Sequence, residues 1–438
     1  MIKKETLQDL LASDSSPCGM PDAGLLRDYL AAGMPHGEPI CMSFGETWDR
    51  IAPGLAECLS GVPKGAHGYQ LSLHGLPRLR NALAEHLRTT HRLPGTAERG
   101  RDWEVAVTWT GTRTTMYDFG RLVRDRAGSA ARRPVALVAG PAWDYAGVFA
   151  PLGYELRYLT LRPEAGFVPD TAELDRIVTG VAADPDAELA LVVVNAQHNP
   201  TAVNWSGDFV ARMFGAAESA GAAVLIDDAY FTVHDEGVTP TSALSMMIER
   251  GGIGKGVPWV AVQSMGKQFG SNGWGIGSLT APVETLDALV NTYRLHHTLM
   301  ASGMLQHAMA DWLGSPESAD FLARQRLRLT EIRATAETQF VKKLGYPAAA
   351  VHAGECTPYV VVDVPPAYAV SEDKAREFRS RCFERTAVLT APIWPWPMPT
   401  PGAEQRPQLR LYLGSGVDGV TEAVRRMADA GLDYLAAT

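Results

Sequence analysis

Five short apolar runs constrain this chain more than any other feature: Val105-Ala106-Val107-Thr108, Val135-Ala136-Leu137-Val138, Leu191-Val192-Val193-Val194, Val224-Leu225-Ile226 and Trp259-Val260-Ala261-Val262. Each is apolar on both faces that a strand presents, and helix-length segments separate them. Strands of that kind must be covered above and below, so the runs predict an α/β chain with a mainly parallel sheet between layers of helices. Pro77 to Leu87 suits one such helix, with Leu79, Leu83 and Leu87 at helical spacing. Close behind the runs come Thr110-Gly111-Thr112, Gly140-Pro141, Asn195, Asp227 and Ser264. Open parallel sheets bind ligands beyond the carboxyl ends of their strands, so these positions are the first candidates for a site.

Past Glu317 the texture changes. A long helical run, Phe321 to Leu344, leads to the strand-like Pro358 to Asp363, a further helix and Ala387-Val388-Leu389. A proline-rich stretch, Ala391 to Pro401, precedes Leu409-Arg410-Leu411-Tyr412-Leu413. This reads as a smaller α+β domain completed by a turn-rich N-terminal arm that contains Ser13-Asp14-Ser15-Ser16-Pro17. The expected division is residues 1–60 for the arm and part of the small domain, 61–316 for a large domain, and 317–438 for the small domain. A length of 438 residues suits two or three domains. With 46% hydrophobic and 20% charged residues, the composition excludes wholesale disorder, collagen and coiled coil.

A net charge of −9 leaves no basic excess to neutralise phosphates, which argues against a nucleic-acid or anionic-membrane partner. The densest basic stretch, Arg121-Leu122-Val123-Arg124-Asp125-Arg126, reads as a solvated helix face. No run of about 18 apolar residues is present to span a bilayer. The lysines of Met1-Ile2-Lys3-Lys4-Glu5 precede no apolar h-region, so no secretory signal is read there. Five scattered cysteines (Cys18, Cys41, Cys58, Cys356, Cys382) show no CxxC spacing, which fits reduced thiols and a cytoplasmic location. The one local histidine pair, Leu295-His296-His297, is poorly spaced to chelate, because adjacent helical residues point about 100° apart. No metal is expected.

The segment Ser264-Met265-Gly266-Lys267-Gln268-Phe269-Gly270-Ser271-Asn272-Gly273-Trp274-Gly275-Ile276-Gly277 carries the sharpest chemistry. Its lysine directly follows an apolar strand and is wrapped in serines and glycines, which let a backbone approach a ligand closely. A lysine in a partly buried site can lose its proton and form an imine with a carbonyl cofactor. Upstream stand Ile226-Asp227-Asp228-Ala229-Tyr230 and Asn195-Ala196-Gln197-His198-Asn199-Pro200-Thr201.

In this order, Asn-Pro-Thr, then Asp-x-Ala-Tyr, then Ser-x-x-Lys before a glycine-rich turn, the sequence resembles the aminotransferase class I/II family of fold type I enzymes dependent on pyridoxal 5'-phosphate (PLP). The resemblance runs from about Phe44 to Leu413. It implies that Lys267 holds PLP as a Schiff base and serves as base and acid at the substrate Cα. By position, Asp227 would pair with the pyridinium nitrogen, Tyr230 and Asn199 with the phenolic oxygen, and Trp143 with the pyridine face. Gly111, Thr112 and Arg113, opening a helix, would cradle the phosphate together with Ser264. Tyr69 matches a tyrosine offered to the neighbouring subunit's phosphate, which implies a homodimer with shared active sites. Arg410 would fork onto the α-carboxylate of an α-amino acid substrate, and Ser43-Phe44-Gly45-Glu46 would close over it.

Two features depart from the family pattern. The family's phosphate-binding arginine falls eight residues after the lysine, where this chain has Gly275, and the residue before the lysine is Gly266. Arg113, beside the phosphate loop, is positioned to replace the lost charge, so Arg113→Ala is expected to weaken PLP retention. The resemblance implies transamination first. The alternative is γ-elimination, γ-replacement or cyclisation in specialised metabolism, with S-adenosylmethionine as a candidate substrate. His74-Gly75-Leu76-Pro77 resembles 1-aminocyclopropane-1-carboxylate synthases, and Trp394-Pro395-Trp396-Pro397 is unusual for an aminotransferase. A nicotinamide enzyme is disfavoured because no G-x-G-x-x-G follows the first strand.

Overall fold

The computed structural model describes residues 1–11, 22–45, 50–127, 132–394 and 406–437. Ser13 to Pro17, Cys18, Glu46 and Pro395-Trp396-Pro397 lie outside the described residues. The strand β1 (Ile40–Met42) belongs to the smaller of two sheets. The next seven form the larger one: β2 (Glu104–Val107), β3 (Arg133–Gly140), β4 (Glu155–Thr160), β5 (Ala187–Val194), β6 (Ala223–Asp227), β7 (Trp259–Ser264) and β8 (Gly277–Ala281). Their order is β2-β8-β7-β6-β5-β3-β4. Every pairing from β7 through β6, β5 and β3 to β4 is parallel, and β8 alone runs against both its neighbours. Four of the five apolar runs therefore lie side by side, in β3, β5, β6 and β7, while β8 separates the fifth, in β2, from them; all five residues of β6 are buried.

Two strands of this sheet carry no matching run in the sequence. β4 sits at the edge, paired on one side only, so it tolerates the alternation Glu155-Leu156-Arg157-Tyr158. β8 emerges from the glycine-rich turn after Lys267 and uses the small polar residues Ser278 and Thr280, both buried.

The smaller sheet adds β9 (Val351–His352), β10 (Tyr359–Asp363), β11 (Val388–Pro392) and β12 (Gln408–Tyr412), in the order β1-β11-β12-β10-β9. β1 runs parallel to β11, with Ile40 opposite Val388, so the N-terminal segment supplies its edge. A helix over Pro316–Lys343, capped where Ser315 accepts the Glu317 N–H, leads from the large sheet toward this one. Just beyond β11, Trp394 is buried among the large-sheet core residues, edge-on to Tyr158 at 4.9 Å. No helix among the described residues is long and apolar enough to cross a membrane.

Candidate active site

Asp227 is the last residue of β6, and its carboxylate is buried. Oδ2 accepts the Tyr145 O–H at 2.7 Å, and Oδ1 accepts the Ala229 N–H at 3.2 Å. Burial pushes this carboxyl up to about 6, while the two donors pull it back down. Its neighbour Asp228 is also buried, and no described group bonds its oxygens. Burial and the adjacent Asp227 hold the Asp228 carboxyl well above the usual range. Two adjoining buried carboxyls cannot readily both ionise, so Asp227, which has the donors, is the one that carries charge.

Ser264 ends β7 and caps the short helix Met265–Phe269, its Oγ accepting the Lys267 N–H at 3.3 Å. This turn leaves Lys267 half-buried. Its Nζ donates to the Gly45 carbonyl at 3.1 Å and lies 5.9 Å from the ring centre of Tyr230. The hydroxyls of Tyr230 and Tyr359 stand 2.8 Å apart. A Cβ on residue 45 would lie 2.5 Å from the Tyr359 hydroxyl and 3.2 Å from that of Tyr230, so only glycine lets this loop approach.

A hydrogen-bonded path crosses from this cluster to the small sheet. Asn195 donates through Nδ2 to the Asp227 carbonyl at 2.6 Å and accepts the Asn199 N–H through Oδ1 at 2.9 Å. The Asn199 side-chain oxygen accepts from Arg410 Nη1 at 3.4 Å. Arg410, on β12, also donates to the Ser43 carbonyl at 2.9 Å, and its guanidinium lies 4.5 Å from the ring centre of Tyr359. Its Nε is buried with no protein partner.

At the other end, Gly111 turns the chain with φ +87° into the helix Thr112–Ala127, whose first-turn amides face outward. Arg113 is exposed, pairs with Asp144 at 2.9 Å, and stacks 4.5 Å from the ring centre of the half-buried Trp143. Gly275, with φ +64°, gives its carbonyl to the Gly111 N–H at 2.8 Å and to the Thr108 hydroxyl at 2.9 Å. Tyr69 stands apart from this assembly, 80% exposed.

The structure thus links Lys267, Tyr230, Asn199, Arg410 and Gly45 through the contacts above, and Asp227 to them by way of Asn195, with Gly111, Thr112, Arg113, Trp143 and Ser264 at adjoining strand ends. Sequence reasoning placed Asn195 among the strand-end candidates without giving it a role, and it missed Tyr145 and Tyr359, which gave no signal beyond a turn and a strand. Among the described residues no group of three or more His, Cys, Asp or Glu could hold a metal ion. The residues present do fit PLP: a buried carboxylate for a ring nitrogen, an indole for the ring, a lysine for the aldehyde carbon, and a helix N-terminus for a phosphate.

A two-sheet α/β fold with this acid and tyrosine just after β6 and this lysine just after β7 fits an enzyme of fold type I that depends on PLP. The chain belongs to the aminotransferase class I and II family, whose model matches residues 60–419. Among curated relatives, it is 22% identical over 296 residues to LL-diaminopimelate aminotransferase 2 of Nostoc sp., covering 67% of each chain. It is 26% identical over 255 residues to the methionine aminotransferase of Escherichia coli, covering 58% of each. Among solved structures, a double mutant of Thermus thermophilus aspartate aminotransferase superposes with a TM-score of 0.73 at 21% identity, over 95% of this chain and 97% of that one. Substrate-bound BacF from Bacillus subtilis gives 0.73 at 20% identity, over 94% and 95%. The chain is a PLP-dependent, aminotransferase-like transferase.

Proposed function

We propose that this enzyme moves the amino group of an α-amino acid to a 2-oxo acid, with Lys267 Nζ carrying the proton that leaves and returns at carbon. The observation that carries this reading is the path Asp227–Asn195–Asn199–Arg410, which fixes a carboxylate-binding guanidinium relative to a buried acid. PLP, when bound, supplies the electron sink for charge left at the substrate Cα. Asp227 would hold the proton on the ring nitrogen, its charge maintained by Tyr145. Tyr230 and Asn199 would bond the phenolic oxygen, and Trp143 would cover one ring face. Gly111, Thr112, Arg113 and Ser264 would receive the phosphate. Arg410 would grip the α-carboxylate with its parallel N–H groups, a geometry lysine lacks. Gly45, held against Lys267 and both tyrosines, would close the site against water.

The relatives named for diaminopimelate, methionine and aspartate or prephenate all carry aminotransferase names, which favours amino transfer over elimination or cyclisation. The exposed Tyr69, with Leu71 beside it, supports a homodimer in which each chain completes the other's phosphate site. In that assembly residues 1–60 and 317–438 would form the small domain and 61–316 the large one. The balance of charge and cysteines supports a cytoplasmic location.

The test is a half-reaction. Adding an amino acid should convert the bound cofactor's absorption band, and a 2-oxo acid should restore it, with ping-pong kinetics in steady state. Turnover of the amino acid without any regenerable change in the cofactor would refute amino transfer.

A further inference from the structure

Among the described residues, one anomalous charge lies outside this cluster. Arg294 is fully buried, yet no carboxylate pairs with it among the described residues. Nη1 donates to the Leu73 carbonyl, while Nε and Nη2 are buried without a partner. The guanidinium packs 4.7 Å from the ring centre of Trp109. Burial alone pulls it down to about 10, with no anion to raise it again. A buried guanidinium with no anion beside it is unfavourable, so an anion brought close to it would be stabilised.

A second anomaly lies on the same short segment. Trp109 leads directly through Thr110 and Gly111 into the helix that opens the phosphate site. Position 275, where the family has its phosphate arginine, is glycine here, and a side chain there would be crowded. A Cβ there would lie 3.2 Å from the Gly111 nitrogen and 3.2 Å from Thr110 Cα, on a backbone with φ +64°. Arg113, the other candidate, is exposed and pairs with Asp144 and Trp143, so any charge it offers the phosphate is screened by solvent. One loop thus has an anion site without its cation on one side and a cation without its anion on the other.

We propose that Arg294 is the countercharge for the cofactor phosphate, acting from behind the loop through Trp109 instead of from residue 275. It is a positioning residue: it sets the potential at the first-turn amides, which make the direct contacts. In a poorly polarisable interior such an attraction is little screened, so a buried cation can act through an intervening ring. Its bond to Leu73 also ties the segment that carries Tyr69 to the same loop.

The experiment compares binding of PLP and of pyridoxal, which has no phosphate, to the apoenzyme, read by the cofactor's absorbance after equilibrium dialysis. Wild type should favour PLP by about 100-fold or more, a charge-assisted contribution. Arg294→Met should weaken PLP by about 30-fold and pyridoxal by less than about threefold, and Arg294→Lys should keep most of the discrimination. Arg294→Gln, which keeps a donor for Leu73 without the charge, should behave like Arg294→Met and serves if the methionine variant does not fold. Equal losses for both ligands, or no loss for either, would overturn the proposal by making Arg294 a packing residue. So would a collapse of the ratio in Arg113→Ala while the Arg294 variants retain it. A readout on wild type alone is salt: with a buried countercharge the ratio should change less than about threefold from about 0.05 to about 0.5 M KCl, and a steep fall would place the charge at the surface and overturn the assignment.

Discussion

Tyr145 donates its hydroxyl hydrogen to Oδ2 of Asp227 at 2.7 Å, and both groups are buried. The bond favours the ionised carboxylate, whose burial otherwise pushes it up to about 6. Removing the donor in Tyr145→Phe lets the carboxyl keep its proton to higher pH. The acidic limb of kcat/KM should therefore move upward by about one pH unit, with rates above pH 8 falling less than those at pH 6. A pH–rate profile checks this. An unmoved acidic limb would mean that Tyr145 only packs.

Gly45 and Tyr359 are coupled by space. A methyl at residue 45 would lie 2.5 Å from the Tyr359 hydroxyl, so Gly45→Ala must push the loop off the lysine or displace both tyrosines. We expect kcat/KM to fall by about 10- to 100-fold, with cofactor content unchanged, because positioning errors near 1 Å carry losses of that order. The double variant Gly45→Ala/Tyr359→Phe removes the clashing oxygen and should recover part of the loss. Steady-state kinetics on the four proteins of this cycle decide it, and strictly additive losses would exclude the coupling.

The strand ends that position Asp227 and Lys267 were legible because a strand buried on both faces must be apolar throughout, so a polar residue at its carboxyl end stands out. Local pattern could not show what depends on pairing across the fold. β1 is three residues long and exists because Val388 to Thr390 lie beside it. Tyr359 is one residue of an apolar strand until the small sheet carries its hydroxyl to Tyr230. Arg113 was read as a phosphate residue from its place at a helix start; the local pattern gave no hint that its side chain also pairs with Asp144 and lies over Trp143. Arg294 was invisible for the opposite reason, since an arginine close to two histidines on a helix reads as solvated surface.

Three histidines should make the protein acid-sensitive. Burial holds His86 down to about 4, and His91 and His198 down to about 3, from an ordinary value of 6.5. All three stay neutral in the folded chain, while the unfolded chain takes up their protons below pH 6.5, so stability is full above that pH and falls as pH drops toward 4. At pH 5 each costs about 2 kcal/mol. Asp227, raised from 3.8 to about 6, works the other way over part of this window, as do the raised carboxyls of Asp228, Asp118 and Asp235, and they take back part of what the three imidazoles lose. Urea midpoints should still fall from pH 7 to pH 5, by less than the histidines alone would give. In His91→Asn, which removes the ring stacked 3.6 Å from Phe231, the protein should be less stable at pH 7 yet show a slope smaller by about one proton. An unchanged slope would mean that His91 titrates normally.

Restoring the family's arginine should fail. In Gly275→Arg the new Cβ meets the Gly111 amide and the Thr110 backbone at 3.2 Å, and φ +64° disfavours any side chain there. Neither neighbour can yield without opening the turn, because the Gly275 carbonyl binds the Gly111 N–H and the Thr108 hydroxyl at the same point. The strain is about 1–3 kcal/mol, and it falls on the loop that must hold the phosphate. Cofactor affinity should therefore drop, by about tenfold or more, although a positive charge has been added. Gly275→Ala, which brings the Cβ without the charge, should lose a similar amount. Equilibrium dialysis of PLP against both variants separates the two effects. If Gly275→Arg bound more tightly than wild type while Gly275→Ala bound more weakly, charge would outweigh backbone strain at this position, and the phosphate loop would be more yielding than its hydrogen bonds to Gly275 indicate.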